Sequence, residues 1–192
     1  MQALWQGLRE IFSEVDGIFE ATRRQFPQEV RCRPGCTDCC HALFDLSLAE
    51  AFILHREFRR LPRKVRREVW RRLEKYERKW SQKAPEIITP FILSTMRIRC
   101  PFLGDDKRCV LYEVRPVTCR LYGIPVALGE ETFVCGLSGF EPGRKYPAVL
   151  FHKVQECLAR LSDKLAPQGG RLRISLGNAI RGVFPGVHLL TE

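Results

Sequence analysis

The sequence predicts a mainly helical protein of the α+β class, in which helices surround a small metal core of β-hairpins and loops. Two observations indicate this fold. Apolar residues recur at spacings of three and four over four stretches, as in amphipathic helices, at about 3–22, 47–61, 62–81 and 147–166. Eight of the nine cysteines fall between those stretches, in segments that contain turn residues. We therefore expect a helical frame around one cysteine-rich centre.

The composition is typical of a globular protein. Of the 192 residues, 45% are hydrophobic and 28% are charged, which is enough apolar material for one core. We expect a single domain over 1–192, with the cysteine-cluster core at about 32–139. No apolar run reaches the roughly 20 residues that cross a bilayer. The N-terminal residues also lack the basic and apolar regions of a secretory signal, so we expect a cytoplasmic protein without membrane contact.

The first two helices have clear local signals. The apolar stripe of the first is expected to pack over the core, and it consists of Leu4, Leu8, Ile11, Val15 and Ile18. Pro27 ends this helix. Ser47 and Glu50 have the spacing of a capping box, so we expect the second helix to begin there.

The loop between these helices has four cysteines in nine residues, namely Cys32, Cys36, Cys39 and Cys40. Pro34-Gly35 is a turn dipeptide that can bring Cys32 back towards Cys36. The two-residue spacer before Cys39 is common in metal knuckles, where both thiolates reach one ion. Adjacent side chains point apart in helices and strands. Cys39 and Cys40 are therefore expected to serve two sites, or one ligates while the other packs.

The four histidines are weaker ligand candidates than these cysteines. His41 directly follows Cys40, which leaves a ligand role open for it. His55 lies beside the apolar stripe of the second helix, where a packed histidine is expected. His152 and His188 have no supporting context.

The third helix, which begins at Pro62, has one apolar and one basic face. Between Arg56 and Lys79 the chain has twelve Lys or Arg residues and four Glu, which supply most of the net charge of +10. Such a face is usually solvated and contains helical charge pairs. Alternatively, it is a surface for nucleic acid or another polyanion. The residues that would make that contact are Arg66, Arg67, Arg71 and Arg72.

Two hairpins are expected after this helix, beyond a connector at 85–90 and a turn at 91–94. In the first, the turn Gly104-Asp105-Asp106 would place Cys100 nearly opposite Cys109, so that their sulfurs could share an ion.

Further along, Pro116 bends the chain before Cys119. A second hairpin, which joins 121–128 to 132–135, would return Cys135 towards Cys119. The last helix begins at Pro147 and ends before Pro167. Cys157 lies on its apolar stripe and is interpreted as a core residue, not a ligand.

This number of cysteines in a reducing compartment indicates a metal centre before disulfides. An odd count also fits poorly with a fully paired disulfide framework. Sulfur-rich sites favour zinc or iron, the latter including iron–sulfur clusters. Because a closed zinc site takes four ligands, eight thiols could fill one or two sites.

The cysteine spacing resembles a known family. The segment 32–40 is followed by Cys100-Pro101-Phe102-Leu103 and by Cys109-x-x-Tyr112-Glu113-x-Arg115-Pro116-x-x-Cys119-Arg120. This pattern is similar to that of the YkgJ-type cysteine-cluster proteins, the CxxCxxCC family, which are described as zinc- or iron-chelating. The resemblance implies a shared chelating set of Cys32, Cys36, Cys39, Cys40, Cys100, Cys109, Cys119 and Cys135. It also implies that Arg115 and Arg120 donate to thiolate sulfurs or to a bound anion.

Several functions are consistent with these features. The leading hypothesis is a metalloprotein whose zinc or iron holds the core together. A similar cluster in flagellin lysine N-methylase suggests a metal- or iron–sulfur-dependent enzyme that modifies a protein. A third hypothesis is a metal-scaffolded module that binds nucleic acid through the basic helix at 56–79. An unknown protein partner and thiol redox chemistry, which needs exposed thiolates of low pKa, are further alternatives.

Overall fold

A computed structural model of the chain describes residues 2–83, 96–184 and 187. The connector expected at 85–90, the turn expected at 91–94 and His188 lie outside these residues. The described part is mainly helical with a few short strands, which confirms the predicted fold class.

Six helices are numbered here in chain order over the described residues. They are α1 (Gln2–Gln25), α2 (Leu48–Arg60), α3 (Arg63–Lys83), α4 (Val117–Leu121), α5 (Phe151–Asp163) and α6 (Leu176–Arg181). Short 3₁₀ turns occur at Asp38–His41, Tyr112–Val114 and Gly169–Arg171. The first three long helices match their predicted positions, because capping, proline and apolar-stripe signals are local.

The short strands are β1 (Leu46–Ser47), β2 (Val126–Leu128), β3 (Glu131–Phe133), β4 (Val149–Leu150) and β5 (Arg173–Ile174). Strands β1 and β5 pair antiparallel. The other three form a small sheet in the order β3-β2-β4, in which β2 is antiparallel to β3 and parallel to β4.

The last long helix is shorter than predicted at both ends. It was expected over 147–166, whereas α5 is Phe151–Asp163. At its start, Val149 and Leu150 pair with Val126 and Ala127 as strand β4. This pairing is between residues distant in sequence, so the local helical pattern does not reveal it.

One hydrophobic core joins the helices. Its buried members include Leu8 and Phe12 of α1, Leu54 of α2, Leu158 of α5 and Ile180 of α6. Helix α3 lies at the edge of this core, where it buries Val69 and Leu73 and packs Trp70 edge-on against Phe58. None of the described helices is long and apolar enough to cross a membrane.

A buried carboxylate joins the helical frame to the cysteine-rich segment. The capping box predicted at the start of α2 is present, with Ser47 and Glu50 bonded in both directions. The other carboxylate oxygen of Glu50 accepts a hydrogen bond of 2.9 Å from the backbone N–H of Val117, the first residue of α4. Glu50 thus fixes the helix that holds Cys119 against the start of α2.

We expect Glu50→Ala to lower the free energy of unfolding by about 3 kcal/mol, since it leaves buried N–H groups of Ser47 and Val117 without an acceptor. Urea unfolding followed by circular dichroism measures this change. The matched control is Glu20→Ala, which removes an exposed ion pair with Arg23 and should cost less than about 1 kcal/mol. Equal losses in both variants would contradict the structural role of Glu50.

Candidate metal centre

The fold brings the eight candidate cysteines together as two adjoining groups. The inner group consists of Cys40, Cys100, Cys109 and Cys119, which line a small cavity together with Cys39. The outer group consists of Cys32, Cys36, Cys39 and Cys135, which line a second small cavity. Cys39 therefore lies at the boundary between the groups.

Backbone hydrogen bonds position the inner group. The N–H of Cys100 donates to the carbonyl of Cys40 at 2.7 Å, and the N–H of Ile98 donates to that of His41 at 3.0 Å. The predicted turn at 104–106 is present. The N–H of Gly104 donates to the carbonyl of Arg108 at 2.7 Å, and Leu103 and Cys109 form an isolated antiparallel β-bridge. Cys100 and Cys109 consequently line the same cavity, as the sequence predicted.

Turns and a carboxylate position the outer group. Gly35, with φ +85°, completes a turn in which the N–H of Cys36 donates to the carbonyl of Arg33 at 2.9 Å. The Cys135 thiol donates to Asp38 at 3.2 Å, and its sulfur accepts from the N–H of Leu137 at 3.4 Å. An amide that points at a cysteine sulfur is typical of metal knuckles.

The second predicted hairpin forms, but it does not bring Cys135 to the inner group. Strands β2 and β3 pair around Gly129 as expected. Beyond β3 the chain turns so that Cys135 lies beside Asp38 and Cys36 in the outer group. The expected approach of Cys135 to Cys119 is replaced by this contact with the cysteine loop.

Cys39 and Cys40 are closer than their adjacency suggests. We expected the two side chains to point apart, yet their sulfurs are 4.0 Å apart. They belong to the 3₁₀ turn at Asp38–His41, in which successive side chains are rotated by about 120°. Four thiolates at zinc–sulfur distances of about 2.3 Å have sulfurs about 3.8 Å apart. The observed separation therefore suits two ligands of one ion or of two neighbouring ions.

Burial keeps most of these thiols protonated. It raises the pKa of Cys100 to about 12, helped by neighbouring Cys109, and it raises the pKa of Cys119 well above its ordinary value. Burial also raises the pKa of Cys135 to about 11, with a further contribution from Asp38. The hydrogen bond between Cys39 and Cys40 lowers the pKa of Cys39 and raises that of Cys40.

The two predicted arginines have different surroundings. Arg120 is buried and donates to Asp16 and to the carbonyls of Arg115 and Glu113, at 2.5–2.9 Å, while it stacks 4.0 Å over the Phe12 ring. Each of its three side-chain nitrogens bonds to oxygen, so Arg120 holds the loop in place, and among the described residues it forms no hydrogen bond to sulfur.

Arg115 faces the thiols. Burial raises the pKa of Cys109, and the positive charge of Arg115 opposes that rise. The same charge also lowers the pKa of Cys39 and so favours its thiolate. Its guanidinium further contacts Asp16 at 3.4 Å and the ring of Tyr112. Arg115 therefore places a positive charge near the cysteines that would become thiolates on metal binding.

The remaining histidines and Cys157 have other contacts. His41 bonds the carbonyl of Thr37 at 2.9 Å within its own turn. His55 lies 3.1 Å from the carbonyl of Ala179, so it packs α2 against α6. Cys157 accepts a hydrogen bond from Arg160 on the same helix and lines neither cavity.

Two functional candidates were not singled out from the sequence. Asp38 bonds both Cys135 and Arg97. Burial opposes its ionisation, but these two partners hold its pKa below the ordinary value. Its position inside the Cys36–Cys39 spacer was an available signal. Tyr76 of α3, which lines the inner cavity, had no such signal because its helical spacing indicates only a core residue.

The donor chemistry fits a thiophilic metal, although the ligands are not preassembled. The two cavities have volumes of about 40 and 20 Å³, which is room for one to a few water molecules. Among the residues that the structure describes, no three Cys, His, Asp or Glu side chains are arranged to hold an ion. Ligation would therefore deprotonate the thiols and draw their sulfurs closer together.

Comparison with known proteins gives one match. The family model CxxCxxCC, described as a putative zinc- or iron-chelating domain, matches residues 31–135, from the cysteine loop to the last cysteine of the outer group. No curated protein and no solved structure is significantly similar to the chain.

We expect metal-free, reduced protein to lose stability as the pH rises from 8.5 to 11. The unfolded chain releases thiol protons near pH 8.5, whereas the folded state retains that of Cys100 up to about pH 12. The unfolded state then binds fewer protons, so the free energy of unfolding falls, by on the order of 2 kcal/mol per thiol between pH 8.5 and 10.

Urea unfolding in the presence of a chelator at each pH measures this dependence. Cys100→Val should reduce the pH dependence by about the contribution of one thiol, since the pKa values of Cys109, Cys119 and Cys135 remain raised. Cys157→Val, which changes a thiol outside both groups, should leave it unchanged. A metal-free protein whose stability is constant or increases over this range would contradict the buried, protonated state of the thiols.

Proposed function

The chain belongs to the CxxCxxCC family, and we propose that it binds two metal ions, each through four thiolates, which stabilise its cysteine-rich core. The observation that carries this proposal is that the eight thiols line two adjoining small cavities, with five cysteines at the inner and four at the outer one; Cys39 lines both and is assigned here to the outer group.

The ligands follow from this division. The inner ion would be held by Cys40, Cys100, Cys109 and Cys119, and the outer ion by Cys32, Cys36, Cys39 and Cys135. Because all four positions of each ion are taken by protein, both sites are closed, which is typical of structural and not of catalytic zinc.

Zinc is the favoured metal. Both zinc and iron–sulfur clusters use four thiolates. A cluster must also take up several iron and sulfide atoms, whereas eight thiols are sufficient by themselves for two closed zinc sites. When bound, zinc would cross-link segments that are distant in the chain, so its binding energy would contribute to folding.

Metal and acid-labile sulfide analysis of protein purified without air tests the proposal. We expect colourless protein with two zinc ions per chain and no sulfide. Brown protein with iron and sulfide would overturn the assignment to zinc, and protein without bound metal would overturn the function itself.

Substitutions should remove the ions one at a time. We expect Cys100→Ser to lose the inner ion and Cys36→Ser the outer ion, so that each variant retains about one zinc ion and unfolds at lower urea concentration. The control Cys157→Ser, which lies outside both groups, should retain both ions. If both ligand variants kept full occupancy, the ligand assignment would be wrong.

Arg115 should tune the affinity for metal. Four thiolates and one Zn²⁺ carry a net charge of −2, which the guanidinium beside Cys39 and Cys109 partly neutralises. We expect Arg115→Gln to weaken zinc binding by about 10-fold or more, the usual effect of removing a group that supports ligands. Competition with a chromophoric chelator measures this, and Arg23→Gln, on an exposed side chain of α1 outside both cavities, is the control that should change little.

A second candidate, a metal-dependent enzyme that modifies a protein, is favoured by a cleft beside the outer group. The described lining of this cleft encloses about 980 Å³, is mainly apolar, and includes Cys135, Asp38 and Arg97. Clefts of this size and polarity commonly bind ligands. If the activity is methyl transfer, as in flagellin lysine N-methylase, the protein must bind S-adenosylmethionine, which equilibrium dialysis would detect. No binding would exclude that activity.

A further inference from the structure

We propose that α3 binds the phosphate backbone of double-stranded nucleic acid through a row of five basic residues on its exposed face. These residues, called the basic row below, are Arg63, Arg67, Arg71, Lys75 and Lys79. This inference is independent of the proposed metal sites.

The basic row follows the geometry of the helix. Its members occur at every fourth position and all five are exposed. Neighbours in such a row are about 6 Å apart along the axis, so five residues extend over about 24 Å. A row of residues four positions apart is inclined to the helix axis. Helix α3 can therefore lie across a duplex at an angle while several members of the row contact phosphates.

Over the described ranges, no member of the basic row is paired with an acid, although Glu74, next to Lys75, is exposed on the same helix. Helix α3 contains ten basic and three acidic residues. Two of the acids pair outside the row: Glu68 with Arg72 at 3.5 Å, and Glu77 with Arg181 at 2.6 Å. Within the described part of the chain, no member of the basic row forms a salt bridge.

The structure changes which arginines form this surface. Arg66, Arg67, Arg71 and Arg72 were the contacts expected from the sequence. Arg72 has only 11% of its side chain exposed, since it pairs with Glu68 and with Asp105 of the turn between Cys100 and Cys109. Arg66 is partly buried, with its Nε shielded from solvent. The contact surface therefore includes Arg67 and Arg71 but not the other two.

The surroundings of the basic row favour duplex phosphates over other anions. Four apolar residues of α3 pack on the core: Val69 and Leu73 are fully buried, Trp70 packs on Phe58, and Tyr76 is partly buried. Val65 and Trp80 are partly exposed. A helix that lies in a lipid surface inserts an exposed apolar face, and single-strand binding proteins present several aromatic side chains on which successive bases stack. The exposed face of α3 instead offers regularly spaced charge, which is sufficient for contacts to the phosphate backbone.

Fluorescence anisotropy with a labelled 24-base-pair duplex tests the proposal on the protein as purified. Five phosphate contacts predict that affinity falls roughly 500-fold between 50 and 200 mM salt. The test variant changes Arg63, Arg67, Arg71 and Lys75 to Gln. We expect it to bind on the order of 100-fold more weakly at 50 mM salt, with a salt slope smaller by about 3 to 4.

A charge-matched control separates this surface from overall charge. Changing Arg24, Lys145, Lys153 and Lys164 to Gln removes the same charge from exposed positions elsewhere and should leave most of the binding. A second variant, with Arg63→Lys, Arg67→Lys and Arg71→Lys, keeps the charge and should also bind. Circular dichroism and thermal unfolding show that each variant is folded, and neither should change.

Three outcomes would overturn the proposal. The first is equal weakening by the test variant and the charge-matched control. The second is tighter binding to single strands than to the duplex. The third is equal or tighter binding to polyglutamate or to vesicles that contain phosphatidylserine, which would indicate an acidic protein or a membrane surface instead.

Discussion

The Glu50 carboxylate is the interaction on which the arrangement of the cysteine centre depends. One oxygen completes the capping box of α2 and the other accepts from the backbone of Val117. A buried acceptor that serves several backbone donors is costly to replace, because each lost partner leaves a desolvated N–H group. The position of Cys119 relative to the helical frame, and hence the shape of the inner cavity, follows from this single side chain.

A second buried contact fixes the other side of the same segment. Arg120 bonds Asp16 of α1 and two carbonyls of its own loop, and it covers the ring of Phe12. Buried ion pairs contribute little net stability compared with apolar packing. They do, however, favour one arrangement of the segment, because any other arrangement would leave a buried charge without its partners. Asp16 and Glu50 thus clamp the segment 113–120 between α1 and α2.

The parts that the sequence predicted are those with local signals. The capping box at Ser47, the start of α3 after Pro62 and the turn at 104–106 depend on residues within a few positions of each other, and all three are present. The destination of Cys135 was not predictable in this way, since it depends on Asp38, which is 97 positions earlier in the chain. The cysteine spacing therefore identified the ligand candidates but not their division into two groups. The same reasoning explains why the role of Arg120 was not predicted. The family motif that contains Arg120 is a local pattern, whereas its partner Asp16 is distant in the sequence.

Helix α3 connects the two proposed functions mechanically but separates them electrostatically. Its inner side reaches the metal centre through Tyr76, which lines the inner cavity, and through Arg72, which pairs with the turn between Cys100 and Cys109. Loading two Zn²⁺ ions while eight protonated thiols lose their protons would lower the formal charge by four, from +10 to +6. The basic row is exposed to solvent, where dissolved salt screens charges over a Debye length of about 8 Å. Metal binding would therefore hold α3 in place, and salt would weaken its effect on the potential at the exposed face.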